Sequence, residues 1–350
     1  MIASLIPRRC MALKFNQKTE IITKLSVRDA LNKAMEQEML EDKRVFIFGE
    51  EVGQYDGAYK VTRGLYAKFG PKRVIDTPIT EAGIAGMCVG SGLNGLRPIC
   101  EFMTWNFALQ GIDHVINSAA KINYMSAGQL SVPIVFRGPN SYSAGTAAQH
   151  SQNFASVYMA CPGLKVVAPY SAEDAYGLLR ASIRDPDPVV FLEHELAYGL
   201  NFDNVQLEIL PLGKAKVERE GTDVTLVTYS MEVRQSLMAA EIVAGEANAI
   251  SVEVINLRCL RPLDFETIQK SIQKTKHLVV VDSSWPQCSV ASEIVARVCE
   301  NQEFYSLDGP PCRVTGADVP MPYSEPLEKL AIPSVENIVR SIKHALHLDF

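Results

Sequence analysis

From Ser26 onward the chain alternates short runs that are apolar throughout with longer stretches in which apolar residues recur every three or four positions. The short runs, Val45–Phe48, Val74–Ile75, Pro98–Phe102, Pro133–Phe136, Lys165–Ala168 and Val189–Leu192, have the length of strands. The helical pattern marks Glu81–Leu96, Phe107–Ser126 and Ala172–Arg184. A first helix is expected to run to Leu40, with Ser26 and Asp29 at the spacing of a capping box. Strands without a polar face, separated by helices, predict an α/β fold with a parallel sheet covered on both sides. The alternation lapses over 199–212, around Pro211 and Gly213, and resumes with strands at Val224–Thr228, Val252–Ile255 and Leu278–Val281. The chain then passes through a Pro-rich segment, Pro320 to Pro333, into a last helix from Val335 to Leu346. The expected organisation is a basic leader over 1–20, a first domain over 21–200, a linker over 201–212 and a smaller second α/β domain over 213–350. No internal repeat or low-complexity tract interrupts it.

Length supports this division, because 350 residues suit two domains of about 100–200 residues, each with its own core. Net charge is −6 and no basic cluster stands out, which argues against nucleic acid and anionic membranes as partners. No apolar run approaches the roughly 18 residues a membrane span needs, so no membrane insertion is expected. The eight cysteines (Cys10, Cys88, Cys100, Cys161, Cys259, Cys288, Cys299, Cys312) form no CxxC pair and sit mostly in apolar runs, as buried free thiols of a reducing compartment do. The first 19 residues carry Arg8, Arg9, Lys14 and Lys18 and no acidic residue, the composition of a mitochondrial transit peptide.

One motif points elsewhere. Gly90-Ser-Gly92-Leu-Asn-Gly95 matches the dinucleotide fingerprint GxGxxG, but that fingerprint requires a strand before the glycines and a helix after them. Here a helical pattern precedes and a strand begins at Leu96-Arg-Pro98, so the glycines are read as close helix packing and a helix end. No GxSxG, Walker-A or HExxH sequence occurs, and His344 and His347 are read as a solvated face of the last helix.

Three segments could carry chemistry. Thr80 can cap a helix whose first turn holds Glu81, and acidic residues favour that position for purely structural reasons. The helix that follows is apolar or small almost throughout, so its start is expected at a buried junction, where a desolvated carboxylate could exchange a proton with a ring nitrogen. His150 lies in a small, polar segment, Gly145 to Gln152, downstream of the strand Pro133–Phe136, where parallel sheets place ligand loops. It suits acid–base work, and a merely hydrogen-bonded loop histidine suits the pattern equally. Met103 and Phe107, four apart directly after a strand, could form one wall for a flat heteroaromatic ring with Gln110 on the same helical face; core packing explains most of the aromatics there.

Taken together, Phe48-Gly-Glu-Glu-Val52, Tyr55-Asp-Gly-Ala-Tyr-Lys60, Asp76-Thr-Pro78 with Glu81, Cys100-Glu-Phe-Met-Thr104, Phe136-Arg-Gly-Pro-Asn140, Ala148-Gln-His-Ser-Gln152 and the run from Arg313 to Tyr323 resemble one family. It is that of the beta subunits of thiamine-diphosphate-dependent 2-oxo acid dehydrogenases, closest to the mitochondrial pyruvate dehydrogenase branch, and the resemblance runs from about Leu25 to Leu348. It implies a transketolase-type pyrimidine-binding domain followed by a transketolase C-terminal-like domain. It also implies decarboxylation of pyruvate and transfer of the acetyl group to the lipoyl arm of a dihydrolipoyl acetyltransferase, in the mitochondrial matrix. A branched-chain 2-oxo acid or acetoin dehydrogenase beta subunit is the alternative. By the same resemblance Glu81 hydrogen-bonds the aminopyrimidine of thiamine diphosphate and promotes its imino tautomer. Met103, Phe107 and Gln110 surround that ring, and His150 assists the acetyl transfer. A structural potassium ion would be held at Ile134, Ser182, Ile183, Asp185 and Asp187, although a plain Asp-Pro-Asp turn also explains that segment.

Thiamine enzymes of this superfamily hold the diphosphate through magnesium bound by a Gly-Asp-Gly sequence, and none occurs in this chain. The resemblance therefore implies that an alpha subunit supplies magnesium and the diphosphate site, in a heterotetramer of two alpha and two beta chains.

Overall fold

A computed structural model describes residues 20–348. The fourteen strands, in chain order, are β1 (Glu20–Ser26), β2 (Val45–Gly49), β3 (Val74–Asp76), β4 (Arg97–Glu101), β5 (Val135–Pro139), β6 (Lys165–Val167), β7 (Val189–Glu193), β8 (Asn201–Leu207), β9 (Lys216–Arg219), β10 (Val224–Thr228), β11 (Val252–Asn256), β12 (Cys259–Arg261), β13 (Leu278–Asp282) and β14 (Cys312–Thr315). Strands β2 to β7 form a parallel sheet in the order β6-β7-β5-β4-β2-β3, as the wholly apolar runs predict. A second sheet, β14-β13-β10-β11-β9, is parallel except at its β9 edge.

Helices cover the first sheet on both faces. On one side Val27–Glu41 packs on Ala172–Arg184 over a core that includes Leu31, Met35, Ile47, Leu178 and Phe191. Ser26 caps the first of these helices, accepting from Asp29 N at 3.1 Å, and Ser171 with Asp174 forms a full capping box on the second. Arg180 ties the pair together, donating to Glu38 at 2.5 Å and to Glu41 at 2.7 Å. The opposite face carries Glu81–Leu93 and the segment from Trp105 to Met125, and its core continues through Val227, Ile255, Ile268 and Ile294 of the second domain. Two separate cores are thus not what forms: one apolar cluster runs across the domain junction, and the outer faces of the first and second sheets each have a cluster of their own.

Several expectations need correction. The stretch expected to be a linker over 201–212 holds strand β8, which pairs antiparallel with β1 and so belongs to the first domain's edge. Its polar composition hid it, because only Val205 and Leu207 turn fully inward. Strand β12 leaves the second domain to pair antiparallel with β6, so the two domains share a sheet edge. Helix Phe107–Ser126 is broken into a short helix Trp105–Ala108, a 3-10 turn Leu109–Gly111, a π-helical stretch His114–Ala119 and a helix Ala120–Met125. The break falls where Gly111 lies against the first turn of Glu81–Leu93: a Cβ there would stand 2.8 Å from the Glu81 carbonyl oxygen. The Pro-rich segment contains a helix, Glu325–Ala331, with Pro326 in its first turn where proline is tolerated.

Other readings hold, with refinements. Gly90 and Gly92 lie inside Glu81–Leu93, and β4 follows Gly95. Seven described cysteines are free; Cys88, Cys100 and Cys259 are buried as expected, whereas Cys288 and Cys299 are exposed. Cys10 and the basic leader lie outside the described residues. No helix among the described residues is long and apolar enough to cross a membrane.

Two buried charge arrangements set the electrostatics. At the carboxyl ends of β4, β5 and β7, Arg137 (1% exposed) lies between Glu101 and Glu193. It donates to Glu193 at 2.6 and 2.5 Å and to Glu101 on its other side, while the Tyr198 hydroxyl donates to Glu193 at 2.6 Å. Burial raises the Glu101 carboxyl above its ordinary value and the Arg137 cation opposes that rise. Between the domains, Tyr142 and His194 meet edge-to-face at 4.7 Å, and Glu232 is buried with neither carboxyl oxygen hydrogen-bonded. Burial pushes the Glu232 carboxyl up to about 8 and holds His194 down at about 3.

Arg137→Met leaves two buried carboxylates without their cation and should lower stability by about 3–5 kcal/mol, read as a lower urea midpoint. Folded Glu232 keeps a proton that the unfolded chain releases near 4.5, so its contribution is fully present below that pH and is lost as pH rises towards 8. Glu232→Gln should raise Tm, with a larger gain at pH 8 than at pH 6; an equal gain at both would show that the carboxyl does not titrate in this range.

Candidate functional site

The carboxyl ends of β2, β3, β4 and β5 lead into the segments that carry Glu50, Glu81, Met103 with Phe107, and His150 respectively. This is the edge at which parallel α/β sheets bind ligands. After β3 the chain passes through Asp76-Thr-Pro78 into the helix Glu81–Leu93. Asp76 is bound to the turn after β2, accepting from Gly53 N at 2.6 Å and Gln54 N at 3.0 Å, so the two acidic segments are held side by side. Thr80 occupies the N-cap position, but its side chain makes no capping hydrogen bond. Glu81 is 4% exposed.

Sequence reasoning assigned no role to Glu50, although Phe48-Gly-Glu-Glu-Val52 was visible at the end of a wholly buried strand. Glu50 is buried, and its Oε1 has no hydrogen-bond partner. Burial first, then the nearby charges of Glu81 and Glu51, raises its carboxyl above the usual carboxylate range. Two inward carboxyls, one with an orphaned oxygen, leave this corner short of donors. A ring with an exocyclic amine and a basic nitrogen would meet that shortage, which is the fit an aminopyrimidine requires.

The aromatic segment takes a different local geometry from the one expected. Met103 precedes Thr104, the cap of the helix Trp105–Ala108, while Phe107 lies on that helix and Gln110 in the following 3-10 turn. They do not share one helical face. Met103 and Phe107 are half-buried and Gln110 is exposed. The Phe107 ring meets the His150 ring edge-on at 5.1 Å, which brings two of the sequence candidates together.

His150 ends a 3-10 turn, Ala148–His150, on the loop that leaves β5. The loop closes through Ser141 N to Gln152 O at 3.0 Å, and Asn106 of the aromatic segment accepts from Gln152 N at 3.1 Å. Beneath it Asn140 donates to Asn153 at 2.9 Å, and Asn153 donates to the Tyr229 hydroxyl and to Ser283 Oγ, both at 3.1 Å. Tyr229 in turn donates to Asp282 at 2.7 Å. Second-domain residues thus form the floor of a first-domain loop.

Away from this site, Ile134, Ser182, Ile183, Asp185 and Asp187 come together at the start of β5 and β7. The Ile134 carbonyl accepts from Val189 N at 2.9 Å, and Arg97 donates to the carbonyls of Ile183 at 2.8 Å and Asp185 at 3.3 Å. Lys165 pairs with the carboxylates of Asp185 at 2.6 Å and Asp187 at 3.0 Å. The carboxylates are therefore neutralised, while each carbonyl retains a second lone pair.

Comparison with known proteins gives a consistent picture. The family model described as "Transketolase, pyrimidine binding domain" matches residues 23–200, and "Transketolase, C-terminal domain" matches residues 213–338. The chain is 58% identical over 335 residues to the pyruvate dehydrogenase E1 component subunit beta, mitochondrial, of Drosophila melanogaster, covering 94% of this chain and 91% of that protein. It is 59% identical to subunit beta-1 of the same component from Arabidopsis thaliana, covering 92% and 90%. Among solved structures, one titled "Split gene transketolase, inactive beta4 tetramer" superposes with a TM-score of 0.76 at 20% identity, covering 93% of this chain and 99% of that one. Transketolase from Leishmania mexicana superposes with a TM-score of 0.64 at 16% identity, covering 95% of this chain and 47% of that one.

Proposed function

The chain belongs to the family of pyruvate dehydrogenase E1 component beta subunits, and on that premise we propose that it is one half of a thiamine-diphosphate-dependent pyruvate dehydrogenase. The enzyme decarboxylates pyruvate and passes the acetyl group to the lipoyl arm of dihydrolipoyl acetyltransferase. The observation that carries this reading is the buried pair of carboxyls Glu50 and Glu81, with Glu50 Oε1 lacking a hydrogen-bond partner, at the same sheet edge as the Phe107–His150 contact.

Thiamine diphosphate supplies a carbon nucleophile and an electron sink for the decarboxylation. Glu81 holds the aminopyrimidine and exchanges a proton with its ring nitrogen; Met103, Phe107 and Gln110 border that ring. His150, exposed on its loop and backed by Phe107, lies on the path of the incoming lipoyl group and assists acetyl transfer. A potassium ion at the turn of Ile134, Ser182, Ile183, Asp185 and Asp187 braces the base of the sheet.

The other half of the site comes from an alpha subunit, in a tetramer of two alpha and two beta chains. The chain's lack of any Gly-Asp-Gly supports this, since magnesium and the diphosphate then need a partner. So does the exposed apolar surface on the segments that follow β3 and β4: Ile79 is 82% and Tyr124 87% exposed, with Met87, Leu109 and Met125 also open to solvent. The relatives are named mitochondrial, and we place the chain in the mitochondrial matrix.

In the reconstituted alpha–beta tetramer, Glu81→Gln should leave assembly intact and lower turnover by about 10²-fold or more. Wild-type turnover in that variant would remove Glu81 from proton exchange. Decarboxylation of pyruvate should exceed that of 3-methyl-2-oxobutanoate. The reverse preference would assign the chain to a branched-chain enzyme.

A further inference from the structure

The loop that carries His150 is held at two points by the second domain. At its base, Ser141 Oγ and Ser283 Oγ lie 2.9 Å apart. At its tip, both carboxylate oxygens of Glu328 accept from Gly145 N, each at 3.2 Å. Gly145 has φ +68, and this left-handed turn, which glycine adopts at least cost, is part of how its N–H comes to face the carboxylate. Glu328 is 9% exposed although it lies on the short surface helix Glu325–Ala331. That helix is itself tied to the second sheet: Ala317 N donates to Ala331 O at 2.9 Å, Gly316 N to Ser284 O at 2.9 Å and Trp285 Nε1 to Val319 O at 2.9 Å.

Within the loop the remaining bonds are local. Thr146 Oγ1 lies 3.0 Å from Ser151 Oγ and His150 N donates to Ala147 O at 3.3 Å. These shape the turn, yet neither anchors it to the body of the protein. Among the described residues, the Glu328 pair is the only hydrogen bonding that ties residues 144 to 150 to a different element. A charge-assisted bond of this kind is stronger than a neutral one and sets the position of what it holds.

We propose that Glu328 is a positioning residue for acetyl transfer: through Gly145 it fixes the loop that sets His150 against Phe107, without taking part in decarboxylation. The inference rests on the reading of His150 given above. It separates the two half-reactions by structure. Glu81 and the ring wall stand on segments that Glu328 does not touch, so loosening the loop should slow the step that needs His150 and spare the step that does not.

The test uses the reconstituted tetramer with Glu328→Ala, Glu328→Gln and His150→Ala. Decarboxylation is read with an artificial electron acceptor, acetyl transfer with an isolated lipoyl domain, and loop order by hydrogen exchange of the amides from Gly145 to His150. Glu328→Ala should keep decarboxylation within about twofold, slow acetyl transfer by about tenfold or more and speed loop exchange by a similar factor. Glu328→Gln retains an acceptor oxygen and should recover part of both losses. Unchanged loop exchange and transfer in the Ala variant would overturn the proposal, as would parallel loss of both half-reactions in the milder Gln variant. If His150→Ala transfers acetyl at the wild-type rate, the reading of His150 fails, and the exchange data still decide whether Glu328 holds the loop.

Discussion

Arg137 sits where three adjacent strands end, and the working edge of the molecule depends on it. Two carboxylates, Glu101 from β4 and Glu193 from β7, converge on one guanidinium from β5 with almost no solvent to screen them. A buried pair of this kind adds little to net stability compared with an apolar alternative, because desolvation offsets much of the attraction. What it provides is geometric. The fork of the guanidinium fixes the relative positions of both carboxylates, and with them the points at which the chain leaves β4 for Met103 and Phe107, β5 for the His150 loop, and β7 for Tyr198. Close backbone packing reinforces this: a Cβ on Gly138 would stand 2.6 Å from the Phe102 carbonyl oxygen.

The second domain is a structural component of the first domain's site rather than an appendage. A shared apolar cluster, the β6–β12 strand pair and the Asp174 carboxylate, which caps its own helix and accepts from Arg258 at 2.6 Å and Asn256 at 2.8 Å, join the two. On this joined base the His150 loop rests on Tyr229, Asp282 and Ser283 and meets Glu328 at its tip. The Glu232, His194 and Tyr142 cluster lies at the same junction and makes a polar interior whose charge state is governed by burial. The junction thus combines an apolar cluster with set polar contacts at Asp174, Asn153 and Glu328, while Glu232 and His194 Nε2 lie buried without hydrogen-bond partners.

Glu81 shows how far local pattern reaches. Its place in the first turn of a helix could be read from Thr80-Glu81 and the apolar run behind it, and the same signal would mark an ordinary helix start. Glu50 shows the limit. Nothing local distinguishes it from Glu51, yet one is buried against Glu81 and the other is exposed, because only one follows the strand's inward turn. For Phe107 and His150 the residue types were visible and their contact was not, since 43 positions and an entire strand crossing separate them.

The alternation of apolar runs with helical periodicity determined the parallel sheets, the direction of the chain and the side of the sheet on which ligand-bearing segments emerge, because these follow from burying apolar faces over short distances. The motifs determined the family. Tertiary structure alone decided that strand β8, with its polar sequence, joins β1, that Gly111 breaks a helix to lie against the Glu81 carbonyl, and that Glu328 reaches across the junction to the His150 loop. Each of these is a contact between residues distant in sequence, whose strength comes from excluding water at a place that exists only once the chain is folded.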